Sequence, residues 1–236
     1  MAKMMTSTLE RAPSMKSRLT AEFVGTLFFV FIAAGSVVSA AYLGIPAALT
    51  IPFVAVGIGL ALALAVSATM GVSGGHLNPA VTIGLFVANK IKGKEAILYI
   101  IAQVLGATVG AALLFVLFPV SVGNAVYWGT TTLGNGVTIL QGIAVEAILT
   151  FFLLLAVFGT AVDERAPKIG GFGIGLTVML DILVGGAISG GAMNPARAIG
   201  PAIVSMHFAA WYVYWIGPII GGVVAALVYK ELILRR

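Results

Sequence analysis

The residues of this chain whose types and spacing point to chemistry are two asparagines, Asn78 and Asn194, each followed by Pro-Ala and each preceded by Ser-Gly-Gly at the same spacing. Residues 72–87 read V-S-G-G-H-L-N-P-A-V-T-I-G-L-F-V and residues 188–203 read I-S-G-G-A-M-N-P-A-R-A-I-G-P-A-I, aligned without gaps at an offset of 116. Each copy is a helix start. The Asn side chain accepts from free backbone N–H groups, and Pro79 or Pro195 takes the first helical position, where a missing donor costs nothing. A helix N-terminus carries about half a positive charge, so two of them brought together favour oxygen lone pairs and repel cations. The amides of Asn78 and Asn194 add N–H donors at the same place. This chemistry suits a neutral, hydrogen-bonding molecule. No nucleophile, metal-ligand cluster or phosphate loop accompanies it, so neither an enzyme nor a bound metal or cofactor is expected.

The elements that hold these motifs must be membrane spans. Sixty per cent of the 236 residues are hydrophobic and 9% are charged, more apolar than a soluble core of this length requires. The absence of cysteine excludes disulfides, thiol catalysis and thiolate metal sites. A net charge of +5 does not point to nucleic acid, because the basic residues sit in small groups at segment ends. The partner that composition implies is the lipid bilayer.

Apolar runs at 19–42, 46–70, 96–117, 137–160, 169–187 and 209–231 are read from the sequence, each near the ~20 residues needed to cross hydrocarbon. The first has basic residues ahead of it and a cleavage-like Val38-Ser39-Ala40, but it contains Glu22 and has a counterpart later, so it is read as a span. A helix over 79–88 would be about 15 Å long, roughly half the hydrocarbon thickness. Neither Asn-Pro-Ala segment crosses alone. Twelve of the 13 basic residues fall in the N-terminal tail, at Lys90, Lys92 and Lys94, at Arg165 and Lys168, and at Lys230, Arg235 and Arg236. With six spans these regions share one side, which places both termini in the cytoplasm of a multi-pass cell-membrane protein.

The repeat extends beyond the motif. Glu22, Thr26 and Gly35 match Glu146, Thr150 and Gly159; Gly57-Ile58-Gly59-Leu60 recurs as Gly173-Ile174-Gly175-Leu176; Gly106 and Ala111 recur as Gly221 and Ala226. Three spans per copy is an odd number, so the second copy is inverted. The predicted fold is an all-α membrane protein with six transmembrane helices plus two re-entrant half-helices in an inverted repeat. Residues 1–18 and 232–236 are read as cytoplasmic tails and 19–231 as one channel domain, with repeats 19–118 and 137–231.

Irregular backbone at membrane depth is tolerated only when buried in protein or lining a wet cavity. The Gly-Gly stretches therefore line a pore in this reading, and the facing half-helix N-termini pass neutral solutes while rejecting ions and protons. Arg197, the thirteenth basic residue, follows the second motif directly and adds a full positive charge toward the outside. Glu22 and Glu146 occupy matched places within spans and are read as acceptors for the backbone of the motif loops rather than as a proton relay. His76 is a pore-lining candidate, read as hydrogen-bonded rather than as a pH gate. Asp181 has no mirrored partner, and its surroundings stay open. Tyr127 and Trp128 suggest an ordered outer loop over 118–136.

Two inverted Asn-Pro-Ala repeats, each led in by Ser-Gly-Gly, with Arg after the second, resemble the aquaporin (major intrinsic protein) family over about residues 20–231. The run A-V-D-E-R-A-P-K at 161–168 looks most like archaeal members. The resemblance implies a passive channel through each subunit of a homotetramer. It also implies a selectivity ring at Ile58, Ile182, Gly191 and Arg197, where water-selective members carry an aromatic and a His in place of the two isoleucines. Two aliphatics and a glycine widen the ring and make it less polar. Ala198 after the Arg, and Tyr214-Trp215, are similar to the water-channel pattern. The resulting expectation is water as main permeant, with some glycerol or other small neutral solutes. The alternatives are a glycerol facilitator with water secondary and an inverted-repeat secondary transporter.

Overall fold

The computed structural model describes residues 12–165, 167 and 169–233. The readings placed on Lys3, Arg11, Lys168, Arg235 and Arg236 lie outside the described residues. The chain runs α1 (Met15–Tyr42), α2 (Ala47–Ser73), α3 (Pro79–Val87), α4 (Gly93–Ala112), α5 (Leu114–Leu117), α6 (Val120–Ala125), α7 (Ile139–Val157), α8 (Gly170–Ser189), α9 (Pro195–Ser205) and α10 (Val213–Val228). Six of these, some with short continuations, are long and apolar enough to cross a membrane: α1, α2, α4 with α5, α7, α8 and α10. Large apolar side chains such as Phe28, Leu64, Ile97, Leu105, Ile148 and Val184 face outward, where only lipid or another protein makes them stable.

The first span starts earlier than hydropathy indicates. Ser14 caps α1 by accepting the Ser17 backbone N–H at 3.1 Å. Lys16 and Arg18, read as tail, thus belong to the helix, and Arg18 donates to the Tyr99 hydroxyl at 2.7 Å and to Glu95 at 3.3 Å. Apolar runs locate where lipid begins, whereas capping locates where the helix begins. The last span departs the other way and is shorter as an α-helix than its apolar run, since Ala210 adopts a positive φ of 50° and α10 starts only at Val213.

The two halves pack alike because their glycines do. Gly106 and Gly110 on α4 lie against the α1 backbone at Phe23 and Leu27, and Gly217 and Gly221 on α10 lie against the α7 backbone at Ile143 and Ala147. Gly59 and Gly175 bring α2 and α8 together at the centre. Each half-helix docks on the last span of the opposite half: α3 on α10, where Gly84 meets Gly222, and α9 on α4, where Gly200 meets Ala107. In lipid such close backbone approach is a principal source of helix association.

A β-carbon at Gly221 would fall on the Ala147 carbonyl, whereas one at Gly71 meets open space. Gly221→Val is expected to lose about 1–3 kcal/mol or more of stability through overpacking, and Gly71→Ala to be neutral. Thermal-shift size-exclusion chromatography in detergent compares the two; equal midpoints would refute this account of the packing.

Candidate functional site

Both motif loops have the same backbone. Gly74 and Gly190 end α2 and α8 in the left-handed conformation (φ 91° and 82°), Gly75 and Gly191 repeat it (60° and 58°), and Leu77 and Met193 adopt it as well (50° and 51°). A positive φ on Leu and Met is strained and persists only where surroundings enforce it. The enforcing contacts are reciprocal. The Asn78 Nδ2 donates to the Met193 carbonyl at 2.9 Å, and the Asn194 Nδ2 donates to the Leu77 carbonyl at 2.9 Å.

Those bonds bring α3 and α9 together N-terminus to N-terminus. Each asparagine also caps its own helix, Asn78 Oδ1 accepting from the Ala80 N–H at 2.8 Å and Asn194 Oδ1 from Ala196 at 3.0 Å. Each amide therefore has its oxygen engaged and one of its two N–H groups used, which leaves one N–H for a passing oxygen.

Each loop is held from behind by a buried carboxylate. Glu22 accepts from Ser73 Oγ at 2.6 Å and the His76 N–H at 3.0 Å through one oxygen, and from the Leu77 N–H at 2.8 Å and Gln103 Nε2 at 2.7 Å through the other. Glu146 accepts from Ser189 Oγ at 2.6 Å, Ala192 N–H at 2.9 Å and Met193 N–H at 2.7 Å. Both side chains are fully buried. Their matched spacing announced the carboxylates as acceptors for the loop backbone; the hydroxyls of Ser73 and Ser189 are further partners that only the structure shows. Gln103 gave no such signal, because the second half offers no counterpart amide.

Two cavities flank the junction. The one on the side of the start of α1 and the end of α10, here proximal, has a volume of about 280 Å³ and is lined by residues including His76, Asn78, Val66, Leu153, Ile174 and Lys90. The distal one, about 240 Å³, is lined by residues including Val54, Thr131, Ile182 and Arg197. His76 is fixed, its Nδ1 lying 3.1 Å from Thr82 Oγ1 and its ring edge-on to Tyr99 at 5.1 Å. Arg197 is 3% exposed and makes no ion pair among the described residues; its Nη1 donates to the Gly129 carbonyl at 3.0 Å. A β-carbon on Gly191 would press on Ile182 Cγ1 at 3.2 Å, so that position is small for space as well as for conformation. Ile58 is buried on α2, 2% exposed, and Asp181 is buried on α8, one turn before Gly185 and its contact with Leu149 of α7. Sequence reasoning missed Thr131 and the Gly129 carbonyl, both in a loop without a repeated counterpart.

The arrangement provides two electropositive helix ends, two free amide N–H groups and one guanidinium, between walls of mostly aliphatic side chains interrupted by His76, Lys90 and Thr131. It can exchange hydrogen bonds with neutral solutes and offers a cation no ligand set.

A family model described as "Major intrinsic protein" matches residues 9–229. The chain is 43% identical to Aquaporin TIP4-4 of Zea mays over 222 residues, 92% of this chain and 86% of that one. It is 42% identical to Aquaporin TIP2-1 of Arabidopsis thaliana over 220 residues, 91% and 86% of the two chains. The X-ray structure of the aquaglyceroporin from Plasmodium falciparum superposes with a TM-score of 0.87 at 26% identity, covering 94% of this chain and 98% of that one. These relatives come from plants and a protozoan, so they do not bear out the finer likeness to archaeal members.

Proposed function

The chain belongs to the major intrinsic protein family, the aquaporins, and from that premise we propose how its residues carry out conduction. It is a multi-pass membrane channel for water and small neutral solutes, not an enzyme. The path runs from the proximal to the distal cavity past Asn78 and Asn194. The observation that carries this reading is the reciprocal pair of bonds that sets two half-helix N-termini face to face. A water oxygen accepts there from the remaining amide N–H groups, between cavities whose linings mix aliphatic side chains with polar groups of the loops. Cations and protons meet two helix dipoles and Arg197.

Ile58, Ile182, Gly191 and Arg197 form the selectivity ring, with water the main permeant and glycerol or similar solutes secondary. The aliphatic character of the ring also favours the second reading, a glycerol facilitator. A secondary transporter finds less support, because Glu22 and Glu146 spend their oxygens on the motif loops rather than on a coupling ion. Residues 19–231 act as one channel domain. Four copies form the assembly, a reading supported by the outward apolar surface that includes Leu49, Phe53 and Val56. Both termini are cytoplasmic in the cell membrane, as the basic residues suggest.

Stopped-flow light scattering on proteoliposomes under sucrose and then glycerol gradients tests the function. Fast water flux with a low activation barrier and no ion current is expected; saturable, ion-dependent flux would overturn it. Ile182→His narrows the ring and adds polarity, so glycerol flux should fall about tenfold while water flux changes much less, the size expected for roughly 1.4 kcal/mol on one barrier. Equal loss of both fluxes would remove Ile182 from the ring.

A further inference from the structure

The loop between the two halves contains three consecutive left-handed residues, Tyr127 at φ 46°, Trp128 at 52° and Gly129 at 78°. Glycine adopts this freely, but two adjacent aromatics do so only when contacts hold them there. Trp128 is locked from one side: its ring stacks on Phe115 at 3.6 Å and its Nε1 donates to Asn124 Oδ1 at 2.8 Å. Gly129 is wedged against Ala34 of α1, where a β-carbon would lie 2.6 Å from the Ala34 Cα.

On the other side the turn is clipped to α9 at both of that helix's ends. At the C-terminal end Tyr127 stacks on His207, centroids 3.8 Å apart and planes within 16°, and Thr130 Oγ1 lies 3.0 Å from Ser205 Oγ. Ser205 Oγ also accepts the His207 N–H at 3.3 Å, which fixes the residue that carries the imidazole. At the N-terminal end the Gly129 carbonyl receives Arg197 Nη1, while the buried Arg197 Nε has no partner among the described residues. One backbone carbonyl therefore sets the direction of the guanidinium, and the strained turn sets the position of that carbonyl.

We propose that the Tyr127–His207 stack is a selectivity-positioning contact: it holds the turn on α9 so that Gly129 keeps Arg197 aimed across the distal end of the path. This rests on the reading above that Arg197 borders that path. Losing the stack lets the turn relax toward ordinary φ values and frees the guanidinium to swing. The ring then opens to larger neutral solutes while the half-helix junction, which water uses, stays intact.

The test is the ratio of glycerol to water flux in proteoliposomes, measured for the full chain and four variants. Tyr127→Gly removes the ring and relieves its φ, and His207→Leu removes the partner without touching the turn. Tyr127→Phe and His207→Phe keep an aromatic stack. The ratio is expected to rise about threefold or more in the first two, a fraction of what one charge-assisted hydrogen bond is worth in a barrier, and to stay at the parent value in the second two. If Tyr127→Gly does not insert, His207→Leu carries the test alone, since it leaves the turn's own residues unchanged. A merely structural role lowers both fluxes together and leaves the ratio constant; a constant or falling ratio overturns the proposal. Absence of water flux in the parent chain would instead overturn the channel reading.

Discussion

Glu146→Leu is expected to leave almost no folded channel. The substitution removes the acceptor for Ser189 Oγ and for the Ala192 and Met193 N–H groups, all buried. Each stranded donor costs about 1–3 kcal/mol, so the sum is comparable to the whole stability of a typical domain. The loop loses its support where the left-handed Met193 must present its carbonyl to Asn78. Glu146→Gln separates charge from hydrogen bonding. Its amide oxygen can replace one carboxylate oxygen, but its NH₂ then faces one of the loop donors, so a loss of about 1–3 kcal/mol is expected instead. The measurement is the midpoint of thermal unfolding in detergent, followed by water flux per folded channel. Glu146→Gln should be the less stable protein than the parent yet conduct without proton current. A stable Glu146→Leu, or a change in proton flux in folded Glu146→Gln, would refute the supporting role and revive a relay.

The second large effect is functional. Arg197→Val is expected to fold, to conduct water, and to leak protons and pass glycerol faster than the parent. Its guanidinium donates to the Gly129 carbonyl and makes no direct ion pair among the described residues; the buried Glu146 carboxylate offsets part of its charge through space, and the remainder faces the path. At about 5 Å with an effective dielectric near 20, one charge raises the barrier for a passing monovalent cation by about 3 kcal/mol, roughly a hundredfold in rate. Proteoliposomes holding a pH-sensitive dye under an imposed potential report the proton leak, and stopped-flow scattering reports glycerol. Arg197→Lys keeps the charge without the planar fork, so it should hold back protons better than valine does. Proton flux unchanged in Arg197→Val would assign exclusion to the half-helix ends alone.

The half-helices were legible because their signals are local. Asn-Pro after a glycine pair specifies a capped start over a handful of residues, and Asn78 and Asn194 do cap α3 and α9. The spans were legible from composition, since lipid imposes length and apolarity on any sequence that crosses it. Helix ends were less so. Lys16 and Arg18 looked like tail because charge hides helicity, yet capping by Ser14 and pairing with Tyr99 and Glu95 carry α1 back to Met15. The carboxylates were legible only as a matched pair, because their partners lie 43 to 55 residues away along the chain or, for Gln103, 81.

By itself the sequence determined the solvent of this protein, the count of its crossings and the duplication that points two short helices at each other; periodicity, composition and repetition are properties of the string. Tertiary structure alone decided that each asparagine reaches the carbonyl of the opposite loop, that Leu77 and Met193 take a left-handed backbone to offer it, and that Gly129 aims Arg197. Those contacts join residues 68 to 117 positions apart. Their geometry follows from how closely the glycine-lined spans pack, a distance that no local pattern encodes.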